Sequence, residues 1–326
     1  MDQIIADQAQ TEGLRALLYD AEGRDRVVQL RDVDWGQLDT QRLLWVHGPA
    51  AEVSSYEGLP EPLASALRLR ECARSFEILG KTLHFCIPYP PGKKSDAKAP
   101  IEFIVGDTWL MTLCDHWPDF MARFVENDRG ESLKGRLSPS AFAAALLSDH
   151  LDTFSKDLFD IDKAIDALDE QILGNKRNAS PLARLATLRR RLSTLRYSLS
   201  ELRGNIHHLT RPDVFEHIPE NDRMHFEQLR STFERLEDAV GRARDTVVGS
   251  FELYTTKVAQ ETNQLLKFLT LVTVVTGIVG ALAGIFGMNF DTPFFHSGIA
   301  GFLLVTSMMI CVCAGLIALS LWRRWF

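Results

Sequence analysis

The stretch NQLLKFLTLVTVVTGIVGALAGIFGMNFD, residues 263–291, decides how this chain is organised. Between Phe268 and Phe286 it contains no charged residue, and roughly 19 apolar residues in a helix suffice to cross the ~30 Å hydrocarbon layer of a bilayer. A second uncharged segment, residues 298–322, follows after a short polar connection. Because backbone groups cannot stay unpaired in lipid, both segments are predicted to be helices that together form a transmembrane hairpin.

The charges around the hairpin predict its orientation. Lys257 and Lys267 precede the first segment, Arg323 and Arg324 follow the second, and the connection carries Asp291 but no Lys or Arg. Since basic residues favour the cytoplasmic side, both chain termini are expected in the cytoplasm. The N-terminus, MDQIIADQAQ, lacks the pattern of a cleavable signal. The sequence therefore predicts a multi-pass protein of the cell inner (plasma) membrane, embedded in the lipid bilayer by its C-terminal hairpin.

Composition excludes one class of partner. The 326 residues carry a formal net charge of -7, and nearly all charged residues lie in residues 1–260. Such a balance argues against nucleic acid as a partner. The five cysteines are expected to act as small apolar residues; the pair in the second membrane segment is two positions apart, so its side chains diverge on a helix. They are Cys72, Cys86, Cys114, Cys311 and Cys313.

Short β-type runs separated by turn signals predict a small mixed sheet near the N-terminus. The runs are LRALLYD (14–20), VVQL (27–30), LLWVHG (43–48), SFEIL and KTLHFCI (75–87), and IEFIV and TWLMTLC (101–114). A helix is expected over residues 59–70, and residues 88–100, rich in Pro, Gly and Lys, are expected to form a loop. We assign residues 1–135 to an N-terminal α/β cytoplasmic domain.

Long helical periodicity follows this domain. Apolar residues at helical spacing start at Ser138-Pro139, and a leucine stripe continues after Pro181, so residues 136–218 are predicted to be antiparallel long helices. No proline lies between Pro219 and Pro293, which predicts one helix of roughly 70 residues that enters the membrane. The further divisions are a stalk helix (219–267), a first transmembrane helix (268–288), an outer loop (289–297), a second transmembrane helix (298–322) and a basic cytoplasmic tail (323–326).

One face of the first membrane helix is built mainly of small and polar residues. Steps of three and four back from Gly287 give Gly284, Gly280, Gly277, Thr273, Thr270, Leu266 and Asn263. Two interpretations fit this spacing. The face is a helix-packing surface, as small residues form in membranes, or it is a pore wall in which hydroxyls and carbonyls replace ion hydration and Leu266 forms a constriction.

The hairpin also resembles a known family. Gly287-Met288-Asn289 at the outer end of the first span, followed by Phe290 and Asp291, and the chain end Arg323-Arg324-Trp325-Phe326 resemble the CorA superfamily of divalent-cation transporters. Residues 263–291 are similar to that family's pore helix without gaps, and IEFIVGDTWLMTLCDHWPDFMARF (101–124) is similar to its N-terminal domain. The expected fold class is thus an α+β cytoplasmic domain with long helices plus a two-helix C-terminal transmembrane hairpin, assembled as a homopentameric funnel.

The resemblance also implies roles for individual residues. Gly287, Met288 and Asn289 would form the outer selectivity filter, Asn263 would match the polar ring at the cytoplasmic entrance, and Leu266 and Leu269 would match the gate. Mg²⁺ gives up its water reluctantly, so Asn289 amide oxygens and Gly287 carbonyls are expected to hold a hydrated ion.

Two acidic features remain open. Asp291 is either a carboxylate ring at the outer mouth or an ordinary turn residue. Further back along the long helix, Asp238, Asp245 and Glu252 share one stripe. Either this stripe faces the funnel axis and draws cations inward, or it is a solvated surface partnered by nearby arginines, Arg242 and Arg244.

Three hypotheses for function follow. The preferred one is a gated pentameric channel for divalent cations, most of all Mg²⁺ and also Co²⁺, without a resident cofactor; its partners are copies of itself and the ion. The alternative is a ZntB-like, proton-coupled Zn²⁺ transporter, although only Lys267 could titrate between Asn263 and Asn289. A scaffold without transport is the third. No enzyme is expected, since no nucleotide-binding loop or catalytic set is present. His207, His208, His217 and His225 lack the spacing of a closed zinc site.

Overall fold

The computed structural model describes residues 13–22, 25–38, 41–56, 59, 61–68, 76–89, 100–127, 133–174, 181–216, 218–288 and 298–322. The chain divides into two compact units. The first contains Met1–Leu168 and Ala183–Val248, and the second contains Asp169–Leu182 and Gly249–Phe326.

A mixed sheet forms the centre of the first unit. In the described residues seven strands follow the order β2-β1-β3-β7-β6-β5-β4. Only β3 and β7 pair in parallel; the other neighbours are antiparallel. The strands are β1 (Arg15–Asp20), β2 (Arg26–Val28), β3 (Arg42–Gly48), β4 (Glu77–Leu79), β5 (Thr82–Ile87), β6 (Ile101–Val105) and β7 (Trp109–Leu113).

Short helices cover both faces of the sheet. Helices α1 (Ala50–Ser54) and α2 (Glu61–Arg68) contribute Val53, Leu63 and Leu67 to a core with Val46 and Met111 on one face. Because side chains alternate along a strand, the neighbouring position on β3 faces the other side.

On that second face, Trp45 contacts two helices that follow the sheet in the chain. Its ring lies 6.3 Å from Phe124 of α3 (Asp119–Glu126) and 5.5 Å from Phe142 of α4 (Pro139–Leu173). The indole Nε1–H donates to Thr112 Oγ1 at 2.9 Å. The Thr112 hydroxyl in turn lies 2.8 Å from His47 Nδ1, so buried polar groups on β3 and β7 are paired with one another.

Three long helices complete the first unit: α4, α5 (Pro181–Leu209) and the first part of α7 (Glu220–Phe286), with the short α6 (Pro212–Phe215) between them. A short connection and the Asp157–Arg191 ion pair place α5 beside α4 in the opposite direction, as predicted. The Arg203 Nε donates to Glu237 Oε1 at 2.9 Å and ties α5 to α7. Each helix buries one apolar stripe at helical spacing: Leu151, Phe154, Leu158, Ile161 and Ile165; Leu188, Leu192, Leu195, Leu199 and Leu202; and Phe226, Leu229, Phe233, Leu236 and Val240.

One buried carboxylate joins the beginnings of α4 and α7. Asp222 lies in the first turn of α7 and accepts hydrogen bonds from the hydroxyls of Ser138 and Ser140, the second at 2.7 Å. The Ser138 Oγ also accepts the Ala141 N–H at 3.1 Å, so it caps the first turn of α4. A negative charge at two helix N-termini is favourable, because the backbone N–H groups there carry partial positive charge.

The second unit contains the end of α7 and α8 (Gly298–Trp322). Both helices include a window apolar enough to cross a membrane, with mean hydropathy of 2.2 and 2.3, and neither window is buried inside the protein. Apolar helices of this length that the chain itself leaves uncovered are typical of membrane spans rather than of a soluble core.

Most predicted elements are confirmed, with corrections at their ends. The long helix begins at Glu220 and runs without interruption to Phe286, as its lack of proline indicated. The strand expected over residues 27–30 ends at Val28 because the chain turns into a short 3-10 helix at Leu30. Helices α1, α3 and α6 were not predicted.

Candidate functional site

The candidate face of the first membrane helix lies on one continuous element. Asn263, Leu266, Thr270, Thr273, Gly277, Gly280 and Gly284 all belong to α7, as does Leu269. Gly287 and Met288 directly follow its last turn, whereas Asn289 and Asp291 lie outside the described residues. The helix therefore presents the predicted residues in one row that leads to the Gly287-Met288-Asn289 motif.

The candidate face is more exposed than the opposite side of the same helix. The side chains of Leu266 and Leu269 are 55% and 60% exposed. A second row, Leu271, Val275, Ile278, Leu282 and Phe286, is half-buried. Each of its first four members follows a candidate residue by five positions, which at ~100° per residue places it about 140° around the helix.

From the half-buried row we infer which side of α7 packs on α8. Helix α8 carries its own less exposed row at the same spacing, at Val305, Met309, Val312, Leu316 and Ser320. Two helices joined by a short connection and each shielded along one row pack along those rows. On this inferred packing, the candidate face lies on the side of α7 opposite α8. Sequence reasoning did not predict this half-buried side, because residues acceptable in a membrane lie on every side of the helix.

The polar atoms of the candidate face are held by the helix itself. The Thr270 Oγ1 donates to the Leu266 carbonyl and the Thr273 Oγ1 donates to the Leu269 carbonyl, both at 2.8 Å. Since each hydroxyl has one proton and two lone pairs, both keep acceptor capacity on the exposed side. A row of fixed acceptors is what a cation or its water shell can bind.

The glycines leave the surface of this face open. A Cβ atom on Gly277, Gly280 or Gly284 would meet no neighbour within 4 Å in the described part of the chain. Gly287 differs, since its Cβ would lie 3.0 Å from the Ala283 carbonyl, whose oxygen accepts the Gly287 N–H at 2.9 Å. Glycine at this position thus lets the helix end tightly at the first residue of the Gly287-Met288-Asn289 motif.

The acids of the stalk are exposed on the same helix. Asp238, Asp245 and Glu252 are all exposed, and within the described residues no ion pair joins them to Arg242 or Arg244. The positive charge of Arg242 instead affects a carboxyl group on α4.

The affected carboxyl group on α4 is that of Asp162. Burial raises the pKa of this carboxyl and neighbouring Asp166 raises it further, while the charge of Arg242 lowers it. Both interpretations of the stalk stripe therefore stay open.

The histidines do not form a metal centre in the described structure. No group of three His, Cys, Asp or Glu side chains there is arranged to hold a metal ion. His208 stacks on Phe76 at 5.5 Å, His207 is exposed, and His217 lies outside the described residues. Three other histidines, His47, His84 and His150, are buried in the first unit, and the sequence analysis assigned them no role.

Comparison with known proteins places this geometry in a family. The sequence profile of the CorA-like Mg²⁺ transporter protein family matches residues 50–323. The cobalt/magnesium transport protein CorA of Thermotoga maritima is 31% identical over 147 residues, which is 45% of this chain and 40% of that protein. The match therefore spans less than half the length of that relative.

Solved structures share the fold at low identity. The complete structure of the CorA magnesium transporter from Methanocaldococcus jannaschii is 18% identical with a TM-score of 0.71, over 95% of this chain and 98% of that one. The cytoplasmic domain of ZntB from Vibrio parahaemolyticus is 9% identical with a TM-score of 0.55, over 76% of this chain and 99% of that one. The family profile covers most of the sheet, the long helices and both apolar helices, so the chain belongs to the CorA-like Mg²⁺ transporter protein family.

Proposed function

We propose that this chain forms a gated pathway for hydrated divalent cations across the inner membrane, with Mg²⁺ as the main ion and Co²⁺ also carried. One observation supports this most: the row from Asn263 to Gly287 is exposed, lies opposite the half-buried side of α7, and leads directly to Gly287-Met288-Asn289. A row of fixed acceptors that its own hairpin leaves uncovered is suited to line a water-filled path.

The pathway requires several copies of α7. One helix contributes one wall, so we propose a homopentamer in which five candidate faces surround the ion. In this assembly the N- and C-termini lie in the cytoplasm and the sheet domains form a funnel. The exposed stripe Asp238, Asp245 and Glu252 would line the approach and raise the local concentration of cations.

The outer filter selects a hydrated ion. Gly287 carbonyls and Asn289 amide oxygens accept hydrogen bonds from the bound waters, so Mg²⁺ need not shed its inner shell. Met288 holds the loop between them, and Asp291 supplies a ring of carboxylates at the mouth. Mg²⁺ and Co²⁺ are favoured because the Thermotoga maritima relative is named a cobalt/magnesium transport protein.

Large apolar side chains close the pathway near the cytoplasmic end. Leu266 and Leu269 are exposed on a face whose next members toward the outer end are Thr and Gly. A ring of such side chains excludes water when it narrows, and the ion cannot pass a dry constriction. Asn263, one turn below, provides a polar ring that holds the hydrated ion before this gate.

No resident cofactor and no chemical reaction are part of this proposal; the divalent ion is the cargo. Membership in a transporter family confirms the expectation that the chain is not an enzyme. The ion moves down its electrochemical gradient, since a membrane potential supplies ~2.3 kcal/mol per charge per 100 mV, or about twice that for a divalent ion.

A proton-coupled Zn²⁺ transporter is the second candidate. The fold of the first unit is also similar to the ZntB cytoplasmic domain of Vibrio parahaemolyticus. Coupling requires a titratable group on the path, however, and Lys267, the one candidate between Asn263 and Asn289, is half-buried beside the row that packs on α8.

Uptake into liposomes tests the proposal. Purified protein is reconstituted, and entry of Mg²⁺, Co²⁺ and Zn²⁺ is compared side by side with Asn289→Ala as the control. Mg²⁺ and Co²⁺ entry that is lost in the variant is the expected result. Absence of flux for every ion would refute transport and leave the scaffold hypothesis.

A further inference from the structure

Helices α4 and α5 carry opposite charge. Between Pro139 and Leu173, α4 has eight acids and two lysines, whereas α5, between Pro181 and Leu209, has six arginines and one glutamate. The basic helix α5 thus stands in a chain whose net charge is -7. The opposite charges of α4 and α5 have no role in the proposed ion pathway or in the buried core.

Ion pairs inside the protomer neutralise few of the charges on α4 and α5. Arg191 pairs with Asp157 on α4, and Arg203 pairs with Glu237 on α7. Arg189, Arg190 and Arg196 are exposed and make no ion pair with any acid in the described part of the chain. The leucine stripe of α5 explains this, because it faces the bundle and directs the remaining positions outward.

The acids of α4 are similarly directed outward. Asp152, Asp160 and Asp166 are exposed and form no ion pair within the described residues. One of the two lysines, Lys163, places its ammonium group 4.4 Å from the Phe159 ring, so it is engaged locally. The exposed side of α4 therefore stays predominantly acidic.

Each charged surface includes one exposed aromatic residue. Phe159 on α4 is 58% exposed, and Tyr197 on α5 is 66% exposed. Large aromatic side chains encircled by charged residues are typical of contact surfaces, in which the ring supplies buried area and the rim supplies electrostatic specificity. We name the acidic face (Asp152, Phe159, Asp160, Asp166) and the basic face (Arg189, Arg190, Arg196, Tyr197).

We infer that the basic face of one copy docks on the acidic face of the neighbouring copy. Charge complementarity selects a second copy as the occupant, because both partners are present in the same chain and each has its own aromatic anchor. A contact between two different faces of identical chains is heterologous, and heterologous contacts form a closed ring when the rotation between neighbouring copies closes. This inference rests on the proposed function, since it requires a homo-oligomer, and it assigns that oligomer a lateral contact outside the membrane.

Charge reversal on the full-length chain tests this contact. Arg189→Glu with Arg190→Glu places acids against acids and is expected to weaken self-association in detergent by about tenfold, since each exposed pair contributes a few tenths of a kcal/mol to about one. Native mass spectrometry over a dilution series measures the change. Arg26→Glu with Arg31→Glu alters two exposed arginines elsewhere by the same charge and should have no effect.

A second reversal identifies the partner surface. Asp160→Arg with Asp166→Arg, added to the α5 variant, is expected to restore association, and circular dichroism checks that every variant is folded. Unchanged association of the α5 variant overturns the contact. Loss that the α4 reversal does not restore also overturns it and indicates another occupant, such as anionic lipid headgroups. Mg²⁺ uptake by the wild-type chain is measured in parallel, so this contact can fail while the proposed transport stands.

Discussion

Leu266 is the residue on which the proposed gate depends most. Its side chain is 55% exposed on the candidate face, between Asn263 and the small residues that begin at Thr270. Leu266→Ala removes most of the apolar bulk and should widen the constriction, so the closed state should leak. Ion current through reconstituted protein at high Mg²⁺ measures this leak.

Leu265 provides the matched control for the gate. It is 70% exposed on the same turn but lies off the candidate row. Leu265→Ala should leave the closed-state current unchanged. If Leu266→Ala leaves it unchanged as well, Leu266 is not part of the gate.

His150 should make the stability of the first unit depend on pH. The ring is fully buried between Phe120 and Phe154, and neither nitrogen has a hydrogen-bond partner in the described structure. Burial lowers the pKa of His150 to about 3. An unfolded histidine titrates near 6.5, so below that pH the unfolded chain binds a proton that the native chain does not.

The stability that this residue provides is therefore complete above about pH 6.5 and is lost as the pH falls toward 3. From pH 7 to pH 5 the loss should be about 2 kcal/mol. His150→Leu should remove this loss of stability. Denaturant unfolding of the purified chain at both pH values measures the difference. His207→Leu, an exposed histidine on α5, is the control; an equal acid loss in the His150 variant and the wild type would contradict this explanation.

At the scale of the element, α7 carries both unresolved interpretations of its small-residue face. Gly280 has open space around it in the protomer, so Gly280→Val should fold and insert normally. A pore wall predicts that the added side chains block flux while the oligomer persists. A helix-packing surface predicts instead that the oligomer dissociates, since close approach of backbones is lost.

The two outcomes are separated by measuring Mg²⁺ uptake and oligomer mass on the same preparation. Ala281→Val adds similar bulk one position away and about 100° around the helix, so it serves as the control. We expect reduced flux with an intact oligomer for Gly280→Val alone. Dissociation with this variant would assign the face to packing.

Elements of different length were predictable to different degrees. The long helices α4, α5 and α7 follow from apolar spacing and from prolines at their limits, because many turns reinforce one periodicity. Helix α1 spans only five residues, too few for a period to be distinguished. The short strands were recognisable by composition, yet the sheet order was not, because the choice of neighbours depends on long-range packing.

The candidate face was also only partly predictable from the sequence. Spacing alone placed Asn263 to Gly287 on one row, as the continuous helix requires. Spacing did not reveal which side of α7 packs on α8, since both sides contain residues acceptable in a membrane. That choice follows only from the half-buried row of Leu271, Val275 and Ile278.

For the whole molecule, we propose a passive pathway in which the membrane potential drives the ion. The most direct measurement is Mg²⁺ uptake into liposomes under an imposed inside-negative potential, with the pH difference set to zero. Uptake should increase with the potential and disappear in Asn289→Ala. Uptake that requires a pH gradient and favours Zn²⁺ over Mg²⁺ would contradict it and support the proton-coupled alternative.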